Sequence, residues 1–466
     1  EEVNNVFIRI TSGEASLLNG VIESNKKGRN ITLINEQGFE LGPDTGFDTF
    51  SGIRLGAVDA ITFKDGSTFG GTGALEGQLS DGEAIYEMAP ERLTGSIKLF
   101  GASLKDYVAD EGAGQSDISL FGNVVDMTTS AVTTLGGADI NLQANALSMK
   151  QFTGLEAISP RSGEGGDINI GADDLILNEA GIRTTSLGGQ GGDVNIDANR
   201  MHTTDLLLSR IGAENHYLAN TEKFYKTGDI NITARDSFIN ERLYVAVTSY
   251  TPGGAGNLNI NAGTFIGDGP DWFAATEIWI SAYQGKTGEI KINADTFDAK
   301  QVRMANFAQS DSALKLNESE KAGYGDITIN AKDINLEKFT AFTGSTKTSE
   351  PTTIGDVKIN AENEIIIGQI LIYPSKSGSS RWVPQSGMGG DLDFTAKNIL
   401  SRQDPLKIDP AYYPTIGISG RVSFQAEENL ELGVMNFVAG NSNPSRELVH
   451  EFKANNITFG MEVGDQ

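Results

Sequence analysis

The sequence predicts an all-β protein built as a parallel β-helix (a β-solenoid) with about three short strands per coil. The first observation is a phrase repeated ten times: glycine, usually an acid, apolar–polar–apolar, one further residue, alanine. The copies are GADINLQA (137–144), GDINIGA (166–172), GDVNIDA (192–198), GDINITA (228–234), GNLNINA (256–262), GEIKINA (288–294), GDITINA (325–331), GDVKINA (355–361), GDLDFTA (390–396) and GRVSFQA (420–426). From alanine to alanine the steps are 28, 26, 36, 28, 32, 37, 30, 35 and 30 residues, and a looser copy, HEFKA, ends at Ala454. Repetition at this length marks a stacked architecture in which each unit buries its apolar face only against its neighbours. The second observation is period-two alternation inside each copy, as in Ile327–Thr328–Ile329, which makes the segment a strand with one buried face. The third is the absence of a sustained i, i+3, i+4 apolar pattern in a chain with 56 glycines, which argues against helices.

Each coil is assembled from the same elements in the same order. The opening glycine suits a turn in which φ is positive. The strand comes next, and the alanine is small enough to sit where the chain bends inward, so the ten alanines should form one inward ladder. Three or four residues later stands another apolar residue (Leu147, Leu175, Met201, Phe238 and Phe265 in the first copies), the start of a second strand. A third apolar run, such as Ile182–Arg183–Thr184, Val245–Ala246–Val247 or Ile278–Trp279–Ile280, closes the coil. The unequal steps place insertions at the bends, where solenoids commonly keep contact residues. A propeller blade would need four strands at about 40–45 residues with its own signature.

Composition narrows the class of function. The chain has 466 residues, 38% of them hydrophobic, and no apolar run long enough to span a membrane. It has no cysteine, so disulfides and thiolate metal sites are excluded. Its formal net charge of −26 is spread along the chain and repels nucleic acid, leaving nucleic acid outside the expected partners. The same charge discourages edge-to-edge pairing of strands from different molecules. Residues 1–10 lack the charged start and apolar stretch of a signal peptide, so any targeting segment is expected to be gone.

Residues 6–69 carry a more specific pattern. It includes Arg9–Ile10–Thr11–Ser12–Gly13, Leu18–Asn19–Gly20–Val21–Ile22, Leu33–Ile34–Asn35 continuing to Gly38 and Gly42–Pro43, and Ile61–Thr62–Phe63–Lys64–Asp65–Gly66. This stretch resembles the second part of the haemagglutination-activity, or two-partner-secretion, domain of filamentous haemagglutinin-like exoproteins. The glycine-bounded strands of 95–142 resemble the part of that family's chains C-terminal to the module, and the later repeats are similar to its long β-helical shafts. The turn that the family writes Asn-Pro-Asn-Gly reads Asn35–Glu36–Gln37–Gly38 here and lacks the rigid proline. The resemblance implies a right-handed β-helix and a secreted protein, extracellular or on the cell surface of a Gram-negative-type bacterium. It also implies an outer-membrane two-partner-secretion transporter as partner of the precursor, whose first strands and cap would precede Glu1. On this basis 1–70 is part of the secretion module, 71–135 a connecting β-helix region with irregular insertions, and 136–466 a repetitive shaft.

Candidate chemistry is sparse. GGQGGDVNI (188–196) and SGEGGDINI (162–170) approach the calcium-binding nonapeptide GGxGxDxUx but are out of register and lack a second copy nine residues on, so they are expected to be ordinary turns. No cofactor is expected, although acidic loops leave room for loosely held calcium, which accepts oxygen ligands in flexible geometry. His202, His216 and His450 are not spaced for zinc and are expected at the surface or in loops. Asp271 and Glu277 near Trp272 and Trp279 offer the one arrangement suited to a sugar-stacking acid–base site, with Trp279 equally suited to stand on the outer face of a strand. Exposed aromatics beside cations in irregular segments nominate contact loops: Arg381 and Trp382 within 372–389, Tyr412 and Tyr413 within 403–417, and Trp272. No catalytic or metal-ligating residue is nominated.

Two functions from different classes fit these observations. The first is a secreted structural or adhesive exoprotein, a rigid acidic rod that assembles end-to-end with copies of itself into extracellular filaments or matrix and contacts surface or matrix glycans. The alternative is a polysaccharide-binding or polysaccharide-cleaving β-helix enzyme.

Overall fold

A computed structural model of the chain describes residues 5–459 except 63–67, 71–74, 77–91, 107–116, 160–164, 188, 205–208, 216–224, 252, 270–275, 283–284, 309–324, 346–354, 375, 378–383, 386–389, 402–414, 419–420, 434–435 and 440–449. Among the described residues every secondary-structure element is a strand, and the main sheet pairs its strands in parallel, coil on coil. The protein is a parallel β-helix. The chain divides into two compact units, Glu1–Arg200 and Met201–Gln466, with the division inside the stretch of repeats.

In the first unit the strands Asn5–Arg9, Arg29–Ile34, Phe50–Gly56, Ile118–Thr128, Ile140–Lys150 and Ile168–Asn178 stack in register. A second stack, Ser103–Lys105, Ala131–Leu135, Gly154–Ser159 and Gly181–Ser186, closes another face. The coil that begins with Phe50–Gly56 resumes only at Ser96–Phe100, which pairs with Gly38–Leu41 below and the second half of Ile118–Thr128 above. Between them lies a small antiparallel sheet of Ala60–Thr62, Thr68–Gly70 and Leu75–Glu76. It leaves the solenoid over the buried cluster of Ile34, Val58, Ile61 and Phe121, and the chain returns through a bridge between Val58 and Leu93. Ile61 and Thr62, which open the Ile61–Gly66 motif, therefore belong to a side sheet, not to a coil strand, and the rest of the motif lies outside the described residues.

In the second unit Ile230–Asn240, Leu258–Gly267, Ile290–Ala299, Ile327–Ser345, Val357–Pro374, Leu392–Ser401 and Val422–Leu432 stack in the same way. Leu243–Ser249, Thr276–Ala282 and Val302–Ala308 pair successively and join the end of Ile327–Ser345, which turns from one face to the next without a break.

The expected first and second strands are one continuous strand with a corner in it. Along Ile140–Lys150 the buried positions are Ile140, Leu142, Ala144, Leu147 and Met149. Alternation holds on both sides and slips by one at Asn145–Ala146. Two successive outward residues in a period-two chain turn its direction, so the phase slip is the bend. The alanine sits just before it. Ala144, Ala198, Ala234, Ala331, Ala396 and Ala426 are buried, while Ala172, Ala262, Ala294 and Ala361 are half-buried. Register pairs Ala144 with Ala172, Ala234 with Ala262, Ala262 with Ala294, Ala331 with Ala361 and Ala396 with Ala426. The inward ladder of ten alanines expected from the sequence is thus present only in part: six are buried, four are half-buried, and in the second unit the pairing is interrupted where the register shifts after Asn360.

The opening glycine has a different role from the one expected. Positive φ occurs at Gly137 (85°), but not at Gly166, Gly192, Gly256, Gly288, Gly325 or Gly390. There a Cβ would lie 1.8–2.2 Å from a carbonyl oxygen of the neighbouring coil, as Gly166 does against Ala138 and Gly325 against Gly288. Glycine is required by close approach of backbones, not by turn conformation. Inward hydroxyls and amides satisfy the carbonyls at this seam. Thr134 Oγ1 donates to the Ala138 carbonyl, Thr184 to Gly192 and Thr343 to Gly355 at 2.7–2.9 Å, and Asn306 Nδ2 donates to both Gly288 and Gly325 at 2.8 Å.

The core is filled by the remaining inward residues. Phe238 meets Phe265 edge-on with centroids 5.4 Å apart, Phe265 stacks on Phe297 at 4.9 Å, and Phe394 on Phe424 at 4.7 Å. Such pairs add about 0.5–1.5 kcal/mol each beyond their buried area. The turn that lacks proline is held by Asn35, wholly buried, whose Oδ1 accepts from Gln37 N at 3.0 Å and whose Nδ2 reaches Glu14 O and Ser16 Oγ. Gly38 completes it at φ 100°.

Candidate functional site

Because the interior is packed, chemistry must come from the outward faces and from the segments between strands. Of the contact residues nominated by the sequence, Trp272, Arg381, Trp382, Tyr412 and Tyr413 all lie outside the described residues, as do Asp271 and His216. His202 is half-buried on the strand Val194–Thr203.

Glu277 and Trp279 are described, and both side chains are engaged with neighbouring coils. Both face outward from Thr276–Ala282. Glu277 Oε1 lies 3.1 Å from Arg303 Nη1 on the next coil. Trp279 is half-buried between Tyr244 (6.4 Å between centroids) and Phe307 (5.5 Å, edge-on), and it pairs in register with Ala246, which is only 3% exposed. The aromatic thus covers the strand behind it. Arg210 sits 6.0 Å from the Tyr244 ring, extending the same outer row by a cation–π contact.

The acid of the repeated phrase ties one coil to the next. Asp139 Oδ1 accepts the backbone N–H of Asp167 at 2.8 Å, and Asp167 Oδ1 accepts that of Asp193 at 2.7 Å. In the second unit Asp326, Asp356 and Asp391 accept from Asp356, Asp391 and Arg421 at 2.7–2.9 Å, and Asp229 and Asn257 accept from Asn257 and Glu289. Burial pushes the Asp139 carboxyl up to about 6, opposed by its bond to Asp167 N and reinforced by the charges of Asp117 and Asp167. Burial also raises Asp106 to about 7, against the bond it accepts from Leu135 N at 2.7 Å. Among the described residues no three Asp, Glu or His side chains group closely enough to hold a metal ion. Gly166, Gly192, Asp167 and Asp193 of the two calcium-like sequences are part of the seam just described, with Gly192 against the Gly166 carbonyl and Asp193 N on Asp167.

Protein-family models, curated proteins and solved structures contain no match to this chain. Function must be argued from the faces themselves.

Two residues beyond each acid, and again two beyond that, outward amides repeat. In the first unit Asn195 bonds Asn169 and Asn169 bonds Asn141, each at 3.0 Å. In the second, Asn293 Nδ2 donates to Asn261 Oδ1 at 2.8 Å, Asn330 to Asn293 at 3.0 Å and Asn360 to Asn330 at 3.0 Å. Beside this ladder, at the corner, lies an open groove of about 430 Å³. Its cause is local: the corner of Ile230–Asn240 carries Arg235 and Asp236, whereas the next coil has Gly263 alone, and the register shifts by one. Gly263 is obligatory there, since its Cβ would lie 2.4 Å from the Arg235 carbonyl oxygen. Ala262, Gly263 and Ala294 floor the groove between Arg235 and Asp295. The asparagines were visible in the sequence as repeated polar positions, but their bonding along the stack depends on register, which single phrases do not show.

Proposed function

We propose that the chain is a secreted structural or adhesive protein whose β-solenoid units act as stiff, acidic scaffolds. The observation that carries this reading is the uniformity of the coil-to-coil ties. Asp139 and Asp167 in the first unit, and Asp229, Asp326, Asp356 and Asp391 in the second, each accept a backbone N–H of the next coil, and asparagines bond asparagines on successive coils. A scaffold needs every coil alike, whereas catalysis needs one coil unlike the others. The carboxylates that recur are already engaged with backbone N–H groups, and Glu277 is engaged with Arg303.

Secretion enters through the resemblance of residues 6–69 to the two-partner-secretion module. In the structure the first coils of the solenoid and a side sheet occupy this stretch. In this reading an outer-membrane transporter handles the precursor, and the mature chain meets glycans or other copies of itself outside the cell. The test is a time course of the purified protein with a panel of plant and bacterial polysaccharides, monitored by chain length and newly formed reducing ends. The scaffold reading expects unchanged chain length at high protein. Shortening that depends on the protein would replace it with a glycan-cleaving enzyme.

A further inference from the structure

We propose that the amide ladder and corner groove of the second unit form a binding track for a neutral, hydroxyl-rich polysaccharide, laid along the stack of coils. The inference rests on the scaffold reading and names the partner of one face of it.

The track is built from six rungs in register: Thr233, Asn261, Asn293, Asn330, Asn360 and Thr395. None is charged, in a protein with 62 acidic and 36 basic residues. All six are half-buried or exposed. An asparagine side chain offers two N–H donors and two acceptor sites. Within the ladder each inner amide gives one N–H to the rung below and accepts one from the rung above. Asn293 and Asn330 each keep one N–H and one acceptor site outside the ladder, and the end amides Asn261 and Asn360 keep more, all held in place by the ladder itself. That preorganisation removes part of the entropy cost of binding.

Donors and acceptors in equal number select the occupant. A sugar hydroxyl both donates and accepts, so a polyhydroxylated chain matches each rung. A polyuronate or polyphosphate supplies mainly acceptors and meets a chain of net charge −26. Rungs repeat at about 4.8 Å, close to the length of one pyranose ring. The groove, at about 430 Å³, is within the size of small-ligand sites, about 300–1,000 Å³, and opens beside the first rungs. A second copy of the protein fits less well. The strip is about 24 Å long by about 7 Å wide on strand geometry, on the order of 200 Å², whereas a stable protein interface needs about 800 Å² per partner.

The test is affinity electrophoresis of the whole chain in gels containing dextran, galactomannan or alginate, with light scattering and dextran chain length measured in parallel. Wild type is expected to be retarded by at least one neutral polymer. Asn293→Leu/Asn330→Leu, which keeps the branched side-chain shape and removes the outward donors, should bind it at least tenfold more weakly. Asn335→Leu, which breaks the bond of Asn335 to Asp298 on the next outer face, should bind as wild type. If the double variant does not fold, as judged by its thermal transition, the single variant Asn261→Leu at an exposed rung is expected to weaken binding in its place. No retardation by either neutral polymer, retardation by alginate alone, or equal binding by the ladder variants overturns the proposal. Concentration-dependent self-association that the ladder variants abolish overturns it in favour of a second copy. Shortened dextran defeats the scaffold reading, whereas intact dextran that does not bind defeats only the track.

Discussion

The backbone N–H of Asp193 donates to the Asp167 carboxylate at 2.7 Å, one coil away. This bond explains why the repeated phrase so often carries an acid after its glycine. The residue is not a charge set out for solvent but an acceptor for the next coil. Replacing Asp167 with Ala should therefore cost about 1–2 kcal/mol, the usual penalty for a donor left without its acceptor. Asp167→Asn keeps an oxygen in place and should cost less. Denaturant unfolding of the two variants checks the order.

Glycines divide into two kinds that the sequence does not distinguish. A Cβ on Gly166 would lie 1.8 Å from the Ala138 carbonyl oxygen, whereas Gly154 and Gly181 have nothing within 4 Å. Gly166→Ala should lose about 1–3 kcal/mol or more through forced separation of coils. Gly181→Ala should be neutral or stabilise by up to about 1 kcal/mol, by reducing the freedom of the unfolded chain. Thermal melting of the pair is sufficient.

Alternation gives a third contrast. Ile329 is fully buried and its neighbour Thr328 faces out. Ile329→Asp places an unpaired charge between coils and should cost about 3 kcal/mol or more. Thr328 pairs in register with Lys291 and Lys358, so an aspartate there meets two cations and should cost little. Equal losses would contradict the assigned faces.

How far the sequence revealed this structure can be read from those residues. Strand, inward alanine and second apolar position were all legible, because period two and a repeated spacing are local signals. Leu147, Leu175, Phe238, Phe265 and Phe297 are all buried as expected. The roles of glycine and aspartate were not legible, because both act on a neighbour about 30 residues away. The bend beside the alanine was legible, but not that one strand runs through it with a one-residue slip in alternation, which looks like noise until the stack is seen. The side sheet of Ala60–Thr62, Thr68–Gly70 and Leu75–Glu76 was not legible, because it leaves the coil only in three dimensions. The nominated contact residues Trp272, Arg381, Trp382, Tyr412 and Tyr413 lie outside the described residues.

Acidity offers a fourth prediction. Asp106 is buried, its Oδ2 has no hydrogen-bond partner among the described residues, and burial raises its carboxyl to about 7. A folded-state value above the unfolded one means the native state binds more protons between about pH 4 and 7. Stability from this group is thus greatest below that window and declines as pH rises through it. Asp106→Asn keeps an acceptor for Leu135 N and cannot ionise. It should be more stable than wild type at pH 8 and similar at pH 4, as measured by unfolding at the two values.

The central claim is that this solenoid works outside the cell as a scaffold. Immunogold labelling of intact source cells and their surrounding material, with an antibody against the second unit, tests it most directly. Label on the outer surface or in extracellular material, lost in a strain lacking the protein, is the predicted result. Label confined to the cell interior, appearing only after the cells are opened, would contradict the account.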